Sequence, residues 1–339
     1  MMQGMIRTVS LMILLTYSLL SCAQEKKQWV TYSGYDGPGK GKNIVFVSGD
    51  EEYRSEEALP MLAQILAVRY GFSCTVLFST DPKTGEIDAR YQTNITGLEH
   101  LQKADLLVML TRFRELPDAQ MKYIDEYVKA GKPVIGLRTA THPFNYTRDT
   151  ASMFAKYSFN SETPGWEGGF GKIVLGETWI NHHGIHGKEG DRGLINGIEQ
   201  DAKNPILNGV NDIWTPTDVY SIKQLTGATI LVYGQSTNGM TPTAPVNLKK
   251  SVMPVAWTRN YKVPGGQEGK AFATTMGAAV DLLNEDLRRL LVNACFWGVG
   301  LEKQIPEKAN VNFIKEYKPT MFGFDNFKKG SFPSKYELK

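Results

Sequence analysis

Cysteine is scarce in this 339-residue sequence: three residues, Cys22, Cys74 and Cys295, with no closely spaced pair among them. That excludes a cysteine-clustered structural zinc site and a small disulfide-framework fold. Cys74 lies in the strand-like run Phe72 to Phe78 and Cys295 in the helical run Leu290 to Trp297, so both read as buried free thiols. An oxidising compartment would allow a disulfide between them without implying one. Net charge is equally sparse, +3 from 38 basic and 35 acidic side chains with no basic block, which gives no reason to expect nucleic acid as a partner. No run after residue 22 is long and apolar enough to span a bilayer. A phosphate-cradling loop is missing too. The pattern Gly34…Gly39-Lys40-Gly41 precedes a strand instead of following one, and ends in Lys-Gly where Lys-Ser or Lys-Thr is required.

What is present begins with an address. Arg7 and the apolar run Val9 to Leu20 end at Leu19-Leu20-Ser21-Cys22, and a polar stretch, Gln24 to Gln28, follows. The Leu-Leu-Ser-Cys pattern resembles the lipobox of bacterial lipoproteins. The resemblance implies cleavage before Cys22, lipidation of Cys22, and, with Ala23 next, export to the outer membrane, facing the periplasm or the surface. The membrane would be touched only through that lipid. The expected layout is a signal peptide over 1–21, a tether and leader over 22–42, one α/β domain over 43–301, and a C-terminal extension over 302–339.

Strands and helices alternate through the first third. Buried strands are expected at Asn43 to Ser48, Phe72 to Phe78, Asp105 to Leu110 and Val134 to Leu137. Between them lie a helix over Ser55 to Tyr70, capped by Ser55 and regular from nearer Ala58 because of Pro60, a short helix over Leu98 to Lys103, and a helix opened by Pro117 with Met121, Ile124, Tyr127 and Val128 on one face. Residues 143–193 form an irregular insertion with a helical candidate, Ser152 to Tyr157, and a strand candidate, Lys172 to Leu175. Strand-like runs resume at Asp218 to Ile222, Ala228 to Tyr233, Met253 to Thr258 and Ala271 to Thr275, before a helix over Asp281 to Trp297. This order predicts one α/β sheet with embellishments.

Ligands of open α/β sheets collect at the carboxyl ends of the strands. Arg112, Arg114, Arg138, Thr139 and His142 all fall just past such ends. The guanidinium groups suit a carboxylate, a phosphate or an alkoxide, or else a fixed ion network with Asp50, Glu51 and Glu52. His142 can serve as acid or base, or simply cap the strand end. The cluster His182-His183-Gly184-Ile185-His186 puts His182 and His186 at metal-ligand spacing if helical, although Gly184 and Gly187 oppose a helix. In a loop these histidines can converge with Glu162 or Glu167 on zinc or a similar divalent ion, or contact a polar ligand. Trp166, Trp179, Trp214, Tyr146 and Tyr220 offer flat surfaces for sugar stacking, or plain core. Asp50, Glu51 and Glu52 could supply half of a glycosidase-like carboxylate pair with Glu162 or Glu167. The resulting expectation assigns catalysis to Arg138, His142, Glu52 and His183. Ligand contacts fall to Asp50, Glu51, Arg112, Arg114, Thr139, Trp166 and Glu167, and metal ligation to His182 and His186.

Five segments together carry a family resemblance: Asn43-Ile44-Val45-Phe46-Val47-Ser48-Gly49, Gly136-Leu137-Arg138-Thr139-Ala140, Asn204-Pro205-Ile206-Leu207-Asn208-Gly209, Pro254-Val255-Ala256-Trp257 and Gly269 to Gly277. In this order and spacing the chain resembles the ThuA-like (trehalose-utilisation) family of the class I glutamine-amidotransferase-like superfamily. The resemblance implies a three-layer α/β/α sandwich with a flavodoxin-like parallel core. It departs from that pattern at Arg138, which stands where amidotransferases carry a nucleophilic cysteine and ThuA-like members often carry histidine. It departs again at Gly277-Ala278, where Gly-His is frequent. An arginine cannot serve as nucleophile. The expectation is therefore an exported sugar-processing enzyme of carbohydrate catabolism using acid/base chemistry, not cysteine-dependent glutamine hydrolysis. A non-catalytic carbohydrate-binding lipoprotein and a structural assembly partner are the alternatives.

Overall fold

The computed structural model describes residues 27–194 and 203–338. The expected signal peptide and Cys22 lie outside the described residues. Among the described residues one ten-stranded sheet has the order β1-β3-β2-β4-β5-β10-β9-β8-β6-β7. Its centre is parallel: β3 (Ser73–Phe78), β2 (Asn43–Gly49), β4 (Leu106–Thr111), β5 (Val134–Leu137) and β10 (Glu268–Thr274). Beyond β10 the strands turn antiparallel through β9 (Met253–Lys262), β8 (Ala228–Ser236), β6 (Asp191–Leu194) and β7 (Ile213–Thr215). The other edge is β1 (Trp29–Tyr32), antiparallel to β3, so part of the expected leader belongs to the sheet.

The parallel strands are near-continuous apolar runs because both their faces are covered. Helices α1 (Ser55–Tyr70) and α3 (Glu285–Gly298) pack on one face, where Leu62, Leu66, Leu290 and Phe296 meet Phe46, Val76 and Val108. Helix α2 (Asp118–Lys129) covers the other, where Met121, Ile124 and Val128 join Val45, Val47 and Met109. The result is an α/β fold with a large mixed sheet flanked by helices, as in a flavodoxin-like arrangement, but with a parallel core that continues into a four-stranded antiparallel half. Among the described residues no helix is long and apolar enough to cross a membrane.

Several local expectations change. Helix α1 starts at Ser55 itself, with Arg54 in the left-handed region before it and no side-chain cap. The Ser55 hydroxyl pairs with Ser48 Oγ at 2.8 Å and accepts from the Asp50 amide at 3.0 Å, fastening the strand end to the helix. Pro60 stays inside the helix and forgoes one backbone bond in its second turn. The apolar run at 171–175 is a π-helical turn, not a strand. It lies on the sheet, with Leu175 seated over Gly136, where a β-carbon would come within 2.4 Å of Leu175 Cδ1, and its carbonyl accepts from Trp257 Nε1 at 2.7 Å. The run Asp218 to Ile222 forms only an isolated bridge between Tyr220 and His182.

The segment after Gly300 folds back over the carboxyl edge of β2 and β4. The Gly323 amide donates to the Glu52 carbonyl at 2.8 Å, Arg54 Nη2 donates to the Gly323 carbonyl at 3.1 Å, and Glu57 accepts from the Thr320 amide at 2.6 Å.

Candidate functional site

Three loops at the carboxyl ends of parallel strands are built first. After β2, Asp50 Oδ1 accepts from the amides of Glu52 at 2.7 Å and Tyr53 at 2.5 Å, and its other oxygen accepts from Thr139 Oγ1 at 2.5 Å. Asp50 and Thr139 thus tie the β2 turn to the β5 turn. After β4, Arg114 is fully buried, donates to Glu51 Oε2 at 2.5 Å and to the Ala89 carbonyl at 3.0 Å, while Arg112 pairs with the other Glu51 oxygen. Of the two readings of these arginines, the fixed ion network is the one the fold adopts. After β10, Asp281 accepts from the Gly277 and Ala278 amides at 3.0 and 2.9 Å and from Thr217 Oγ1 at 2.8 Å. That contact places Asp218, the next residue.

Asp218 is the centre of the site, although no motif or spacing in the sequence marks it. Residues 181–183 run antiparallel to 219–221, with the His183 amide donating to the Val219 carbonyl at 2.8 Å and the Ser221 amide to the Asn181 carbonyl at 3.0 Å. Gly184 permits the close approach, since a β-carbon there would meet Asp218 Cβ at 2.4 Å. His182 Nδ1 lies 2.5 Å from Asp218 Oδ2, and His186 Nδ1 lies 3.2 Å from Asp218 Oδ1. The second His186 nitrogen, Nε2, is 3.1 Å from Glu52 Oε1. The Asp218 side chain is fully buried, whereas those of His182 and His186 are 30% and 37% exposed, so carboxylates form the floor and imidazoles the mouth. One donor atom from each of His182, His186 and Asp218 lies within 4.8 Å of the others, a set able to coordinate a metal ion.

Arg138 supports this floor from behind. It is wholly buried, with Nη1 donating to the carbonyls of Asp218 at 2.7 Å and Thr275 at 3.0 Å. Its Nη2 is 3.6 Å from Asp218 Oδ1, and its guanidinium carbon sits 3.8 Å from the centre of the Tyr53 ring. The geometry makes it a countercharge beneath Asp218 rather than a clamp open to a ligand.

The electrostatics follow from these contacts. Burial alone would raise the Asp218 carboxyl, but the hydrogen bonds from His182 and His186 and the Arg138 charge hold it below its ordinary range. Burial opposes ionisation of Glu52 in the same way and is outweighed by His186, Arg112 and Arg138. The hydrogen bonds to Asp218 and then Glu52 push His186 up to about 9, so without a metal it is an imidazolium between two carboxylates. His142 goes the other way. Burial first, then the charges of Arg112 and Arg138, keep its imidazole neutral.

Backbone strain gathers here as well. Among the described residues the non-glycine positions of positive φ are Arg54 (60°), Phe113 (49°), Arg138 (44°) and Asp325 (61°). The first three follow β2, β4 and β5, and Asp325 sits in the tail segment laid over them. Left-handed backbone at bulky residues costs of order 1 kcal/mol or more and concentrates at functional sites.

Some expected site residues lie elsewhere. His183, next to His182 in extended chain, faces the opposite way and its Nε2 meets the Ser251 carbonyl at 2.8 Å. Trp166 is buried against Tyr157 at 4.4 Å between ring centres, and is core. Glu167 is exposed and bonds only the Gly165 amide nearby, at 3.1 Å, and Glu162 is likewise exposed. His142 is 2% exposed, under the rings of Phe113 and Trp179, 5.0 and 5.5 Å away, so it is not placed to exchange protons with solvent. Residues brought together without having been expected are Asp218, Tyr53, Phe113 and Phe322, beside Tyr220, which was expected as a stacking surface. No spacing signal marks them, because they come from four separate loops.

The trehalose-utilisation family model, ThuA, matches residues 43–298. The chain belongs to the ThuA family. Solved ThuA-like proteins are similar to it: one from Bacteroides uniformis at 14% identity and TM-score 0.46, covering 79% of this chain and 95% of that one. Another, from Parabacteroides merdae, shows 13% identity and TM-score 0.47 over 88% of this chain and 100% of its own. Among curated proteins none matches. In this ThuA domain, the His–Asp cluster sits at the carboxyl edge of the parallel strands, within the matched residues except for the tail segment laid over it.

Proposed function

We propose that this ThuA protein is an exported, Cys22-anchored enzyme of carbohydrate breakdown that acts on a sugar or oxidised-sugar derivative at the His182–His186–Asp218–Glu52 cluster. The observation that carries the reading is His186 held between two carboxylates at an open mouth, with His182 on the same Asp218. A divalent ion such as zinc fits this set: two imidazoles and one carboxylate are its ordinary ligands, and three protein ligands leave a position for substrate. His182, His186 and Asp218 would hold the ion, and Glu52, 3.1 Å from His186 Nε2, would orient that imidazole as an outer carboxylate. Bound there, the ion would act as a Lewis acid on a sugar oxygen. Glu52, beside it, is the residue we assign to move a proton to or from the substrate.

A second reading, carbohydrate binding without turnover, is favoured by Arg138, whose fixed and buried guanidinium leaves no nucleophile at the end of β5. One experiment separates the two. Purified protein is analysed for bound metal, then incubated with trehalose, other mono- and disaccharides and their keto forms, with and without added zinc, and products are followed by chromatography. Metal-dependent consumption that disappears in His186→Ala and Glu52→Gln supports the enzyme. Saccharide binding with no product under any metal condition sinks it in favour of the second reading.

A further inference from the structure

The charged floor is flanked on two sides by aromatic rings. On one side, Phe113 after β4 meets Phe159 of the insertion at 5.0 Å between ring centres, Phe159 meets Trp179 at 6.3 Å, and Trp179 meets His182 at 6.2 Å. On the other side, His186 meets Phe322 at 5.3 Å, and Phe322 stacks on Tyr53 at 5.7 Å. The gap between the two sides is bridged by Arg112, whose guanidinium carbon is 4.4 Å from the Phe113 ring centre and 5.0 Å from that of Phe324. Phe113, Phe159 and Trp179 are partly exposed and Phe324 is 54% exposed, although nothing in ordinary folding requires four rings at one polar mouth. Phe113 is also held at φ 49°, a costly backbone for an aromatic residue, which aims its ring at Arg112 and His142.

Inside this collar the charges are already matched. Glu51 is taken by Arg112 and Arg114, and Asp218 by His182, His186 and Arg138. A negatively charged ligand would find no cation without an existing carboxylate partner among these groups, and would meet Glu52. Flat apolar rings around a floor of paired hydrogen-bonding groups suit a ring-shaped ligand with apolar C–H faces and neutral hydroxyls.

We propose that the aromatic collar, with one wall from Phe113, Phe159 and Trp179 and the other from the C-terminal segment at Phe322 and Phe324, is a binding site for an uncharged saccharide. The proposal rests on the sugar-processing reading and deepens it in two ways. It selects neutral over phosphorylated or acidic sugars, and it makes the C-terminal segment, beyond the family-matched residues 43–298, part of the binding site.

The test uses the whole protein stripped of metal, so that binding is read apart from turnover. Trehalose, maltose and glucose, with trehalose 6-phosphate as the charged probe, are titrated by calorimetry and by tryptophan fluorescence into native protein, Trp179→Ala and Phe324→Ala. Phe324 is exposed, so its replacement leaves the core intact. The expected result is binding of at least one neutral sugar and weaker binding of the phosphate. Each variant should lose about tenfold in affinity, the scale of one aromatic contact, with circular dichroism unchanged. No binding by any neutral sugar, tighter binding of trehalose 6-phosphate, or native affinity retained in both variants overturns the collar. The two readings fail separately. Sugar binding lost in both variants but with no turnover in native protein leaves the collar standing and removes the enzyme. Metal-dependent turnover whose KM in both variants is that of native protein does the reverse.

Discussion

His186 and Glu52 are joined at 3.1 Å between Nε2 and Oε1, although 134 residues separate them, the first in an irregular insertion and the second in the turn after β2. That pairing, with Asp218 on the other ring nitrogen, ties His186 to both carboxylates of the cluster. A divalent ion taken up by His182, His186 and Asp218 binds the folded chain alone. Zinc at about a hundred times its dissociation constant should therefore raise stability by about 2.7 kcal/mol. Thermal melts of metal-free protein with and without zinc check this. The rise should vanish in Asp218→Asn, and an equal rise in that variant would remove the cluster as the binding site.

Arg138→Met should destabilise the protein by about 3 kcal/mol, because it leaves Asp218 and Asp281 without a buried countercharge. Urea denaturation measures it. A variant as stable as native protein would mean that the guanidinium is dispensable under the floor, contrary to its contacts with Asp218 and Thr275.

Glu56 supplies a pH dependence away from the cluster. Its carboxyl is buried, both oxygens lack hydrogen-bond partners, and burial, only partly offset by Arg54, pushes it up to about 7 from an ordinary value of 4.5. A carboxyl raised in the folded state is ionised first in the unfolded chain, so stability falls as pH rises from about 4.5 to about 7 and is level above that. Glu56→Gln should flatten this segment of the stability–pH curve. It should exceed native protein by up to about 3 kcal/mol above pH 7 and match it below pH 4. A native curve already flat through that window would contradict the assignment.

Cys74 and Cys295 are buried, free, and raised as thiols by burial. Ellman's reagent should therefore label neither in folded protein and both after denaturation. Labelling of either under native conditions, at a rate faster than global unfolding, would show a reactive thiol.

The framework was legible where hydrophobic pattern decides structure. Val134 to Leu137 is a fully buried strand as read, and α2 begins at Asp118, directly after Pro117, with Met121, Ile124, Tyr127 and Val128 inward. Legibility fails where a short apolar run has two outlets. Residues 172–175 pack on the sheet as a π-turn, because Trp257 and Gly136 offer the carbonyl partner and the space, and neither is local in sequence. The histidine cluster was visible as composition. Its partner was not, because Asp218 reaches it through a bridge between His182 and Tyr220 and a glycine that allows contact. Trp166 and Trp179 are alike in sequence context, yet one is core and the other lines the mouth, a difference set by tertiary packing alone.

The two ends of the sheet have a further consequence. A sheet of ten strands has two rims of unpaired backbone, and a long flat rim would recruit the same rim of another copy. Here the outermost strands are β1, four residues, and β7, three residues. Each is too short to template a register with a neighbour. Among the described residues neither margin therefore offers the long, flat edge on which a sheet extends from one copy to the next, so brevity at the rims works against fibre-like stacking.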